Sequence, residues 1–104
     1  MTKELSLSDY QAMISQLVIE RGFDKETVSE VFTVLVEEVG ELAKAIRKSN
    51  GQKIDKNRHQ HNVEEELADV FWLLIDISNR LGVDLAKAFA EKEVLNQKRR
   101  WTDS

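Results

Sequence analysis

The sequence predicts an all-α protein, with four helices arranged as an antiparallel bundle-like protomer in a single domain over residues 1–104. The chain contains no proline and only four glycines, and 33% of its residues are charged, which is typical of helical proteins. Apolar residues recur every three or four positions over long runs, the spacing that gives a helix one apolar face. Short polar segments separate these runs, and short connections favour antiparallel packing of neighbouring helices.

The starts of the first two helices are marked by residues that commonly cap helix ends. Ser8 is the expected N-cap of the first helix, which keeps its apolar spacing until Gly22 interrupts it. Asp24 is the expected N-cap of the second helix, and Phe23 is placed to pack on Val28 across the first turn. The sequence therefore predicts two helices joined by a brief connection.

The second helix is predicted to end near Lys48, and the third to begin after Asn62, whose spacing to Glu65 resembles a capping box. The polar and basic residues 52–60 between them are expected to form either a solvated linker or a basic flap over a polyphosphate. The second and third helices are expected to pack against each other through one apolar stripe on each helix. The stripes consist of Leu35, Val39, Leu42 and Ile46, and of Val63, Leu67, Val70, Leu74 and Leu81.

The third helix is apolar around most of its circumference from Val63 to Leu81, and Gly82 is placed for the left-handed conformation that follows many helix ends. Asp84 is the expected N-cap of a fourth helix that runs toward Arg99. In so short a chain, a helix that is apolar on more than one side indicates a subunit interface. We therefore expect oligomerisation to complete the bundle, as a homodimer or a dimer of dimers.

The composition excludes several classes of protein. A net charge of −4 argues against binding of nucleic-acid polymers as the main task, and the absence of cysteine excludes disulfides and thiolate chemistry. No apolar run approaches the roughly 20 residues that a membrane-spanning helix needs. The N-terminal residues also lack the apolar core of a signal peptide. We expect a cytoplasmic protein with no membrane partner.

Acidic residues interrupt the apolar pattern of the second and third helices at matching intervals. Glu38 and Glu41 lie three residues apart, as do Glu66 and Asp69, so each pair occupies one side of its helix beside the apolar stripe. If the stripes pack together, the carboxylates meet in a low-dielectric seam, where their mutual repulsion requires a neutralising positive charge. All the ligand atoms would be oxygens, so a hard divalent cation, first of all Mg²⁺, is the natural candidate. The alternative is that all four are solvated charges on amphipathic helices.

The same acidic residues belong to a longer pattern. Glu37-Glu38-x-x-Glu41 is followed, after 24 intervening residues, by Glu66-x-x-Asp69. This pattern resembles the signature of the MazG-like nucleoside triphosphate pyrophosphohydrolases, and the likeness spans most of the chain. It includes the segments Glu38-Val-Gly-Glu-Leu-Ala43 and Glu65-Glu-Leu-Ala-Asp-Val70, and a tail with Lys92, Asn96 and Arg99.

The resemblance implies a reaction and a metal. The expected activity is Mg²⁺-dependent hydrolysis of (deoxy)nucleoside triphosphates to the monophosphate and pyrophosphate, for nucleotide-pool housekeeping, with Mn²⁺ as a substitute. By the same resemblance, Glu38, Glu41, Glu66 and Asp69 are the metal ligands. Glu37 or Glu41 would act as the base that accepts a proton from the attacking water, and the sequence does not choose between them.

The resemblance also gives a role to the fourth helix. Lys92, Asn96 and Arg99 lie on one side of it, and by analogy they bind the phosphate oxygens of the substrate. Arg100 is an alternative to Arg99, because the register of a helix end varies. Without the resemblance, these basic groups would be read as partners of the helix dipole.

The remaining aromatic and acidic side chains give weaker indications. Tyr10, Phe32 and Trp101 are candidates for stacking on a base, although each is more often simple packing. Trp72 is expected in the core or an interface, and Asp76 at the surface. Nothing in these residues identifies the preferred base.

Two other functions compete with the nucleotide hydrolase. A di-iron carboxylate bundle needs Glu-x-x-His on two helices, and neither His59 nor His61 follows a glutamate by three positions. A non-enzymatic helical interaction module would gain nothing from clustered carboxylates in its seam. A titration with Mg²⁺ separates the readings, because a metal site raises thermal stability as the ion binds.

Overall fold

The computed structural model describes residues 4–50 and 62–99, and within these ranges it contains four α-helices and no strand. The helices are α1 (Leu7–Glu20), α2 (Val28–Ser49), α3 (Val63–Arg80) and α4 (Leu85–Lys98). The predicted all-α class is confirmed. Residues 52–60, with His59, and also His61, Arg100 and Trp101, lie outside the described residues.

Helix α1 begins with a reciprocal capping box. The Ser6 hydroxyl accepts a hydrogen bond from the Asp9 N–H at 3.1 Å, and the Asp9 carboxylate accepts one from the Ser6 N–H at 2.9 Å. The prediction of Ser8 as the N-cap is therefore wrong, since Ser8 lies within the first turn. Ser6 is the cap because Asp9 returns its hydrogen bond, whereas Gln11, three positions after Ser8, is bonded elsewhere in the fold.

Helix α2 begins in the same way, three residues later than expected. The Thr27 hydroxyl accepts from the Glu30 N–H at 3.1 Å, and the Glu30 carboxylate accepts from the Thr27 N–H at 2.9 Å. The prediction of Asp24 as the N-cap is wrong, and Phe23 lies too far upstream to be the residue before the cap. Phe23 instead stays in the α1–α2 connection, where it is 41% exposed.

The caps predicted for the other two helices are confirmed. Asn62 Oδ1 accepts from the Glu65 N–H at 2.8 Å, and Asp84 Oδ1 accepts from the Lys87 N–H at 3.1 Å. Gly82 has a φ of 68°, in the left-handed region that glycine adopts without strain. The α3–α4 connection is therefore a tight turn, as the sequence predicts.

Helix α3 is the central element of the fold. It packs against α2 along one side and against α1 on another, and α4 packs mainly against α1. Ile14 and Val18 of α1 form the core with Ile75 of α3, and Leu7, Trp72 and Leu85 surround it. On the α2 side, the buried residues are Val31, Leu35 and Ala45.

The apolar stripes do not pack as predicted. Leu35 is buried, but Val39 and Ile46 on α2 are 48% and 44% exposed, and Leu67 and Leu81 on α3 are 52% and 60% exposed. The inner side of α3 instead carries the polar residues Glu66, Asp76 and Ser78, together with Ile75. Hydrophobicity does not select the inner face of a helix that is apolar nearly all round.

A side-chain amide joins α1 to the α3–α4 turn. Gln11 Nε2 donates to Asn79 Oδ1 and to the Val83 carbonyl, both at 2.9 Å. Gln11 Oε1 accepts from the Leu85 N–H at 3.1 Å, and Asn79 Nδ2 donates to the Gln11 carbonyl at 2.9 Å. We call these four hydrogen bonds the Gln11 clasp. It supplies a partner to the first N–H of α4, which no residue of that helix can bond.

None of the helices in the described part of the chain has the length and hydropathy that a membrane span requires.

Candidate active site

The contact between α2 and α3 brings three carboxylates together. Glu38 from α2 and Glu66 and Asp69 from α3 each place a carboxylate oxygen within 4.8 Å of the others. Glu66 is fully buried, Glu38 is partly buried and Asp69 is exposed. The group, called here the acidic cluster, therefore extends from the interior between the helices to the surface.

Burial and crowding raise the pKa of Glu38. The largest cause is desolvation, followed by a hydrogen bond with Glu66 and by the negative charges of Asp69, Glu66 and Glu41. Two carboxyl groups can share a hydrogen bond only when one of them carries a proton. The fold therefore holds this cluster at a cost that either a proton or a bound cation relieves.

The donor set fits a divalent cation. Mg²⁺ binds oxygen ligands at about 2.0–2.1 Å in octahedral geometry, so ligand atoms around one ion lie about 3–4 Å apart. The three oxygens of the acidic cluster are already within 4.8 Å of one another. Small changes of side-chain rotamer would bring them into one coordination sphere, with water or substrate completing it.

The two other acidic residues of the motif lie outside this cluster. Glu41 is 45% exposed in its side chain, and its Oε1 is 3.6 Å from Lys44 Nζ one turn further along α2. Its charge nevertheless contributes to the raised pKa of Glu38. Glu37 is exposed on α2. Both lie beside the acidic cluster in sequence, at the solvent side where a water could be met.

An open cleft of about 290 Å³ lies against the acidic cluster. Its polar lining is formed by Glu38, Asp69 and Arg21, and the rest is apolar. The apolar lining consists of Phe23, Val34, Trp72 and Leu73. The cleft therefore offers carboxylates, a guanidinium and a hydrophobic wall within one concave surface, the combination expected of a site for a polar ligand with an aromatic part.

Sequence reasoning missed part of this lining. Phe23 was assigned only to the start of the second helix and Trp72 to the core or an interface, and Arg21 had no predicted functional role. Trp72 does pack on the core, but it also lines the cleft. A signal was present, because Trp72 and Leu73 follow Asp69 by three and four positions and so share its side of α3.

Tyr10 and Phe32, the predicted stacking residues that the structure describes, are not in the cleft lining. The Tyr10 ring packs edge-on against Phe71, with centroids 5.2 Å apart and an interplanar angle of 87°. Phe32 is 55% exposed and is not among the residues that line the cleft. Tyr10 thus has a packing role between α1 and α3.

Lys92 and Asn96 lie on α4, the helix that is packed least, whereas Arg99 follows its last residue in an extended conformation and is not on the helix as predicted. Lys92 and Arg99 are exposed, and Asn96 is partly buried with its Nδ2 3.4 Å from Glu93 Oε2. None of the three lines the described cleft, and α4 packs mainly against α1. Within one chain, the structure does not join them to the acidic cluster.

The expectation that Asp76 lies at the surface is wrong. Asp76 is 3% exposed, and its Oδ1 accepts a hydrogen bond at 2.9 Å from Nε of Arg80 on the next turn of α3. A buried carboxylate is stabilised by such a paired and hydrogen-bonded cation. The i,i+4 spacing of the pair is readable in the sequence, but its burial is not.

The comparison with known proteins identifies the family. The model of the MazG nucleotide pyrophosphohydrolase domain matches residues 26–99, which contain α2, α3, α4 and the whole acidic cluster. This chain belongs to the MazG family. Membership confirms the resemblance drawn from the acidic motif and assigns the chain to a family of nucleotide-hydrolysing enzymes.

Individual relatives agree with this assignment. A dATP/dGTP diphosphohydrolase of Salmonella phage PMBT28 is 32% identical to the MazG chain over 96 residues, which is 92% of this chain and 28% of the phage protein. YpjD of Bacillus subtilis strain 168 is 35% identical over 72 residues, 65% of each protein. The MazG chain thus spans less than two thirds of either relative's length.

Solved structures give the same fold. Crystalline iMazG from Vibrio DAT 722 superposes with a TM-score of 0.68 at 35% identity, covering 89% of the MazG chain and 99% of iMazG. The Bacillus subtilis YpjD structure superposes with a TM-score of 0.79 at 24% identity, covering 95% and 100%. At 24% identity, the YpjD structure supports only the fold.

Proposed function

We propose that this MazG protein hydrolyses (deoxy)nucleoside triphosphates to the monophosphate and pyrophosphate, with Mg²⁺ held by the acidic cluster and Mn²⁺ as a substitute. The observation that carries the proposal is the cluster itself, with its three carboxylate oxygens within 4.8 Å beside an open cleft. The phage relative, a dATP/dGTP diphosphohydrolase, supports deoxynucleotides as substrates. Such an activity serves housekeeping of the nucleotide pool.

The chain supplies the groups that this hydrolysis requires. Glu38, Glu66 and Asp69 hold the ion, which when bound neutralises phosphate charge and makes a coordinated water more acidic. Water adds to phosphorus, the α–β anhydride bond breaks, and pyrophosphate leaves. We propose Glu41 or Glu37 as the carboxylate that accepts the proton released by the water. Glu41 also completes the ligand set that the family motif implies.

The apolar part of the cleft takes the nucleoside. Its volume of about 290 Å³ is close to the lower limit of about 300 Å³ for small-molecule sites, which is consistent with a base and sugar. Phe23 and Trp72 offer aromatic surface to the base. The Arg21 guanidinium, also in the lining, carries donors for oxygen acceptors of the substrate.

We also propose that the protein is a homodimer or a dimer of dimers. Apolar side chains on α2 and α3 remain exposed in the single chain, at helical spacing. They are Phe32, Val36, Val39 and Ile46 on α2, and Leu67, Phe71, Leu74 and Leu81 on α3. Exposed apolar surface of this extent is characteristic of a subunit interface. The mass in solution, measured by light scattering, tests the assembly.

Lys92, Asn96 and Arg99 are proposed to bind the phosphate oxygens of the substrate. Two of these side chains are cationic, and both are exposed. Because α4 packs mainly against α1, closure of α4 or association of two chains would bring them to a bound triphosphate. Arg99 is suited to two parallel hydrogen bonds with one phosphate group.

The test is pyrophosphate release from a panel of canonical and modified NTPs and dNTPs, with and without Mg²⁺. Metal-dependent release from some members, lost in Glu66→Gln and kept in Glu64→Gln, supports the proposal. Glu64 is the matched control because it is an exposed glutamate in the first turn of the same helix. No release from any member, with Mg²⁺ or Mn²⁺ present, would contradict it.

A further inference from the structure

Arg80 is an arginine at the end of α3 whose guanidinium is almost entirely enclosed. Its side chain is 12% exposed and makes contacts in two directions. Nε donates to Asp76 Oδ1 at 2.9 Å on the same helix. Nη2 donates to the Phe23 carbonyl at 2.7 Å, and Nη1 donates to the Glu26 carbonyl. The guanidinium therefore joins α3 to the connection between α1 and α2.

Asp76 fixes the orientation of this guanidinium. Its side chain is 5% exposed, and it bonds Nε, the nitrogen nearest the aliphatic stem. With Nε occupied, the planar guanidinium can turn only one edge, bearing Nη1 and Nη2, toward the connection. The pair thus acts as a rigid fork rather than as a mobile surface charge.

The connection held by this fork carries one wall of the cleft. Phe23 and Arg21 line the cleft, and both lie in residues 21–27, which form no helix. Besides the Arg80 contacts, the connection is tied to the end of α1 by the Phe23 N–H, which donates to the Val18 carbonyl at 2.8 Å. The opposite wall belongs to α3, through Trp72 and Asp69.

We propose that Arg80, locked by Asp76, is a positioning residue for substrate. It sets the distance between the Phe23 wall and the acidic cluster, and so shapes the nucleoside part of the cleft. This inference rests on the proposed function, because it concerns the same substrate. The two residues it concerns, Asp76 and Arg80, belong neither to the acidic cluster nor to the lining of the cleft.

The chemistry of the contact explains why arginine is required. Two carbonyls and one carboxylate are bonded at the same time, by three nitrogens of one rigid plane. A lysine has one nitrogen, so it can pair with Asp76 or bond the carbonyls, but cannot hold the fixed fork. Replacement by lysine should therefore keep the charge and the fold while loosening the Phe23 wall.

Steady-state kinetics on the full chain with dATP and dGTP test the proposal. We expect Arg80→Lys to raise KM about tenfold and to change kcat by less than about twofold, because the lost contact shapes binding rather than the reacting atoms. Inhibition by pyrophosphate, which lacks a nucleoside, should stay within about twofold of wild type. Arg80→Met should show the same split more strongly, and Arg80→Lys remains informative if the methionine variant fails to fold.

A double-mutant cycle with Phe23→Ala tests whether Arg80 acts through the wall. If it does, Phe23→Ala and Arg80→Lys each raise KM, and the double variant is no worse than Phe23→Ala alone. Ser6→Ala is the control for simple destabilisation, because it removes the N-cap of α1 at a position outside the cleft. Its KM should equal that of the wild type.

Three results would overturn the proposal. One is an unchanged KM in Arg80→Lys and Arg80→Met while the wild type is active. Another is a fold-increase in KM of the double variant that equals the product of the fold-increases of the two single variants. The third is an equal weakening of pyrophosphate inhibition. If the wild type hydrolyses no triphosphate at all, the proposed function itself fails, which is a different result from an active enzyme indifferent to Arg80.

Discussion

The α2–α3 pair and helix α4 are held in the fold in opposite ways. The pair contains buried residues on both helices and encloses the fully buried Glu66 between them. Helix α4 contains no buried residue in its described length, and Phe89, its largest apolar side chain, is 68% exposed. Its start is held by the Asp84 cap, by the Gln11 clasp and by Leu85, which packs against the core of α1 and α3.

The difference follows from what each region must hold. Carboxylates that converge on one ion repel each other until it binds, so they need helices whose separation is fixed by packing. Groups that bind a substrate phosphate gain from being free to close on it. The proposed metal ligands accordingly lie on the packed pair, whereas the proposed phosphate ligands Lys92 and Arg99 lie on α4 and directly after it.

The largest expected effect comes from removing the buried charge of the packed pair. Glu66→Gln should lower pyrophosphate release at least about 100-fold, because a metal ligand becomes a neutral amide. The metal-free protein should keep its thermal stability or gain some, because a carboxylate is removed from beside Glu38 and Asp69. Activity assays and thermal melts in EDTA measure the two effects.

Glu64→Gln, on the exposed first turn of the same helix, should change neither quantity. An active Glu66→Gln enzyme would remove Glu66 from the site. A strongly destabilised one would mean that Glu66 serves the fold rather than the metal.

The next effect concerns the attachment of α4. Gln11→Leu removes the partners of Asn79 Oδ1, the Val83 carbonyl and the Leu85 N–H, and should cost about 1–3 kcal/mol of unfolding free energy. Amide hydrogen exchange should quicken in α4 more than in α2, because only α4 depends on the clasp. Gln16→Leu is the matched control, since its bond to Glu20 is exposed and 3.3 Å long. Equal exchange in α4 and α2 would show that other contacts hold α4.

Substitutions on α4 itself should act on substrate and hardly at all on stability. Lys92→Gln and Arg99→Gln should each raise KM about tenfold, the loss expected for a hydrogen bond to a charged group. Melting temperatures should stay close to wild type, because both residues are exposed. Lys87→Gln is the control on the same helix, where the lysine is 74% exposed and pairs only weakly with Glu91. Wild-type KM values for both test variants would end the phosphate-binding proposal.

Local sequence signals predicted the helices well. Asn62, Asp84 and Gly82 have the roles expected of them, because capping and turn geometry depend on neighbours within a few residues. Ser6 was also readable, since its spacing to Asp9 is that of a capping box with aspartate in place of glutamate. Ser8 has the same spacing to Gln11, so the local pattern did not choose between the two caps.

The acidic cluster was partly predictable for a different reason. The i,i+3 spacing places Glu66 and Asp69 on one side of α3 whatever that side packs against. Which face of α3 turns inward was not predictable, because leucines and valines surround the helix. Leu67 and Leu81 are exposed in the single chain, whereas Asp76 is buried. The polar side of α3 therefore faces the other helices.

The cleft wall was beyond reach of the sequence. Phe23 and Glu26 are held by an arginine that follows them by 57 and 54 positions. No local pattern marks such a contact, since an i,i+4 pair of aspartate and arginine is common on solvated helices. Only the fold reveals that Asp76 and Arg80 are enclosed and that their remaining donors point at the connection.

The smallest expected effect is a pH dependence that has opposite sign at two glutamates of α2. The pKa of Glu38 is raised, chiefly by desolvation, whereas that of Glu30 is lowered, chiefly by its hydrogen bonds to Thr27. Glu38 therefore contributes stability below its unfolded pKa of about 4.5 and loses it as pH rises through the raised value. Glu30 contributes stability above pH about 4.5 and loses it as pH falls through its lowered pKa.

In EDTA, the melting temperature of wild type minus that of Glu38→Gln should fall as pH rises from about 4 to about 8. The same difference for Glu30→Gln should rise with pH in the acid range. Saturating Mg²⁺ should reverse the Glu38 slope, because a bound cation favours the ionised form. A Glu38 difference that is flat in EDTA would mean that the carboxyl is solvated, and the cluster would then lack the electrostatic cost that a metal ion relieves.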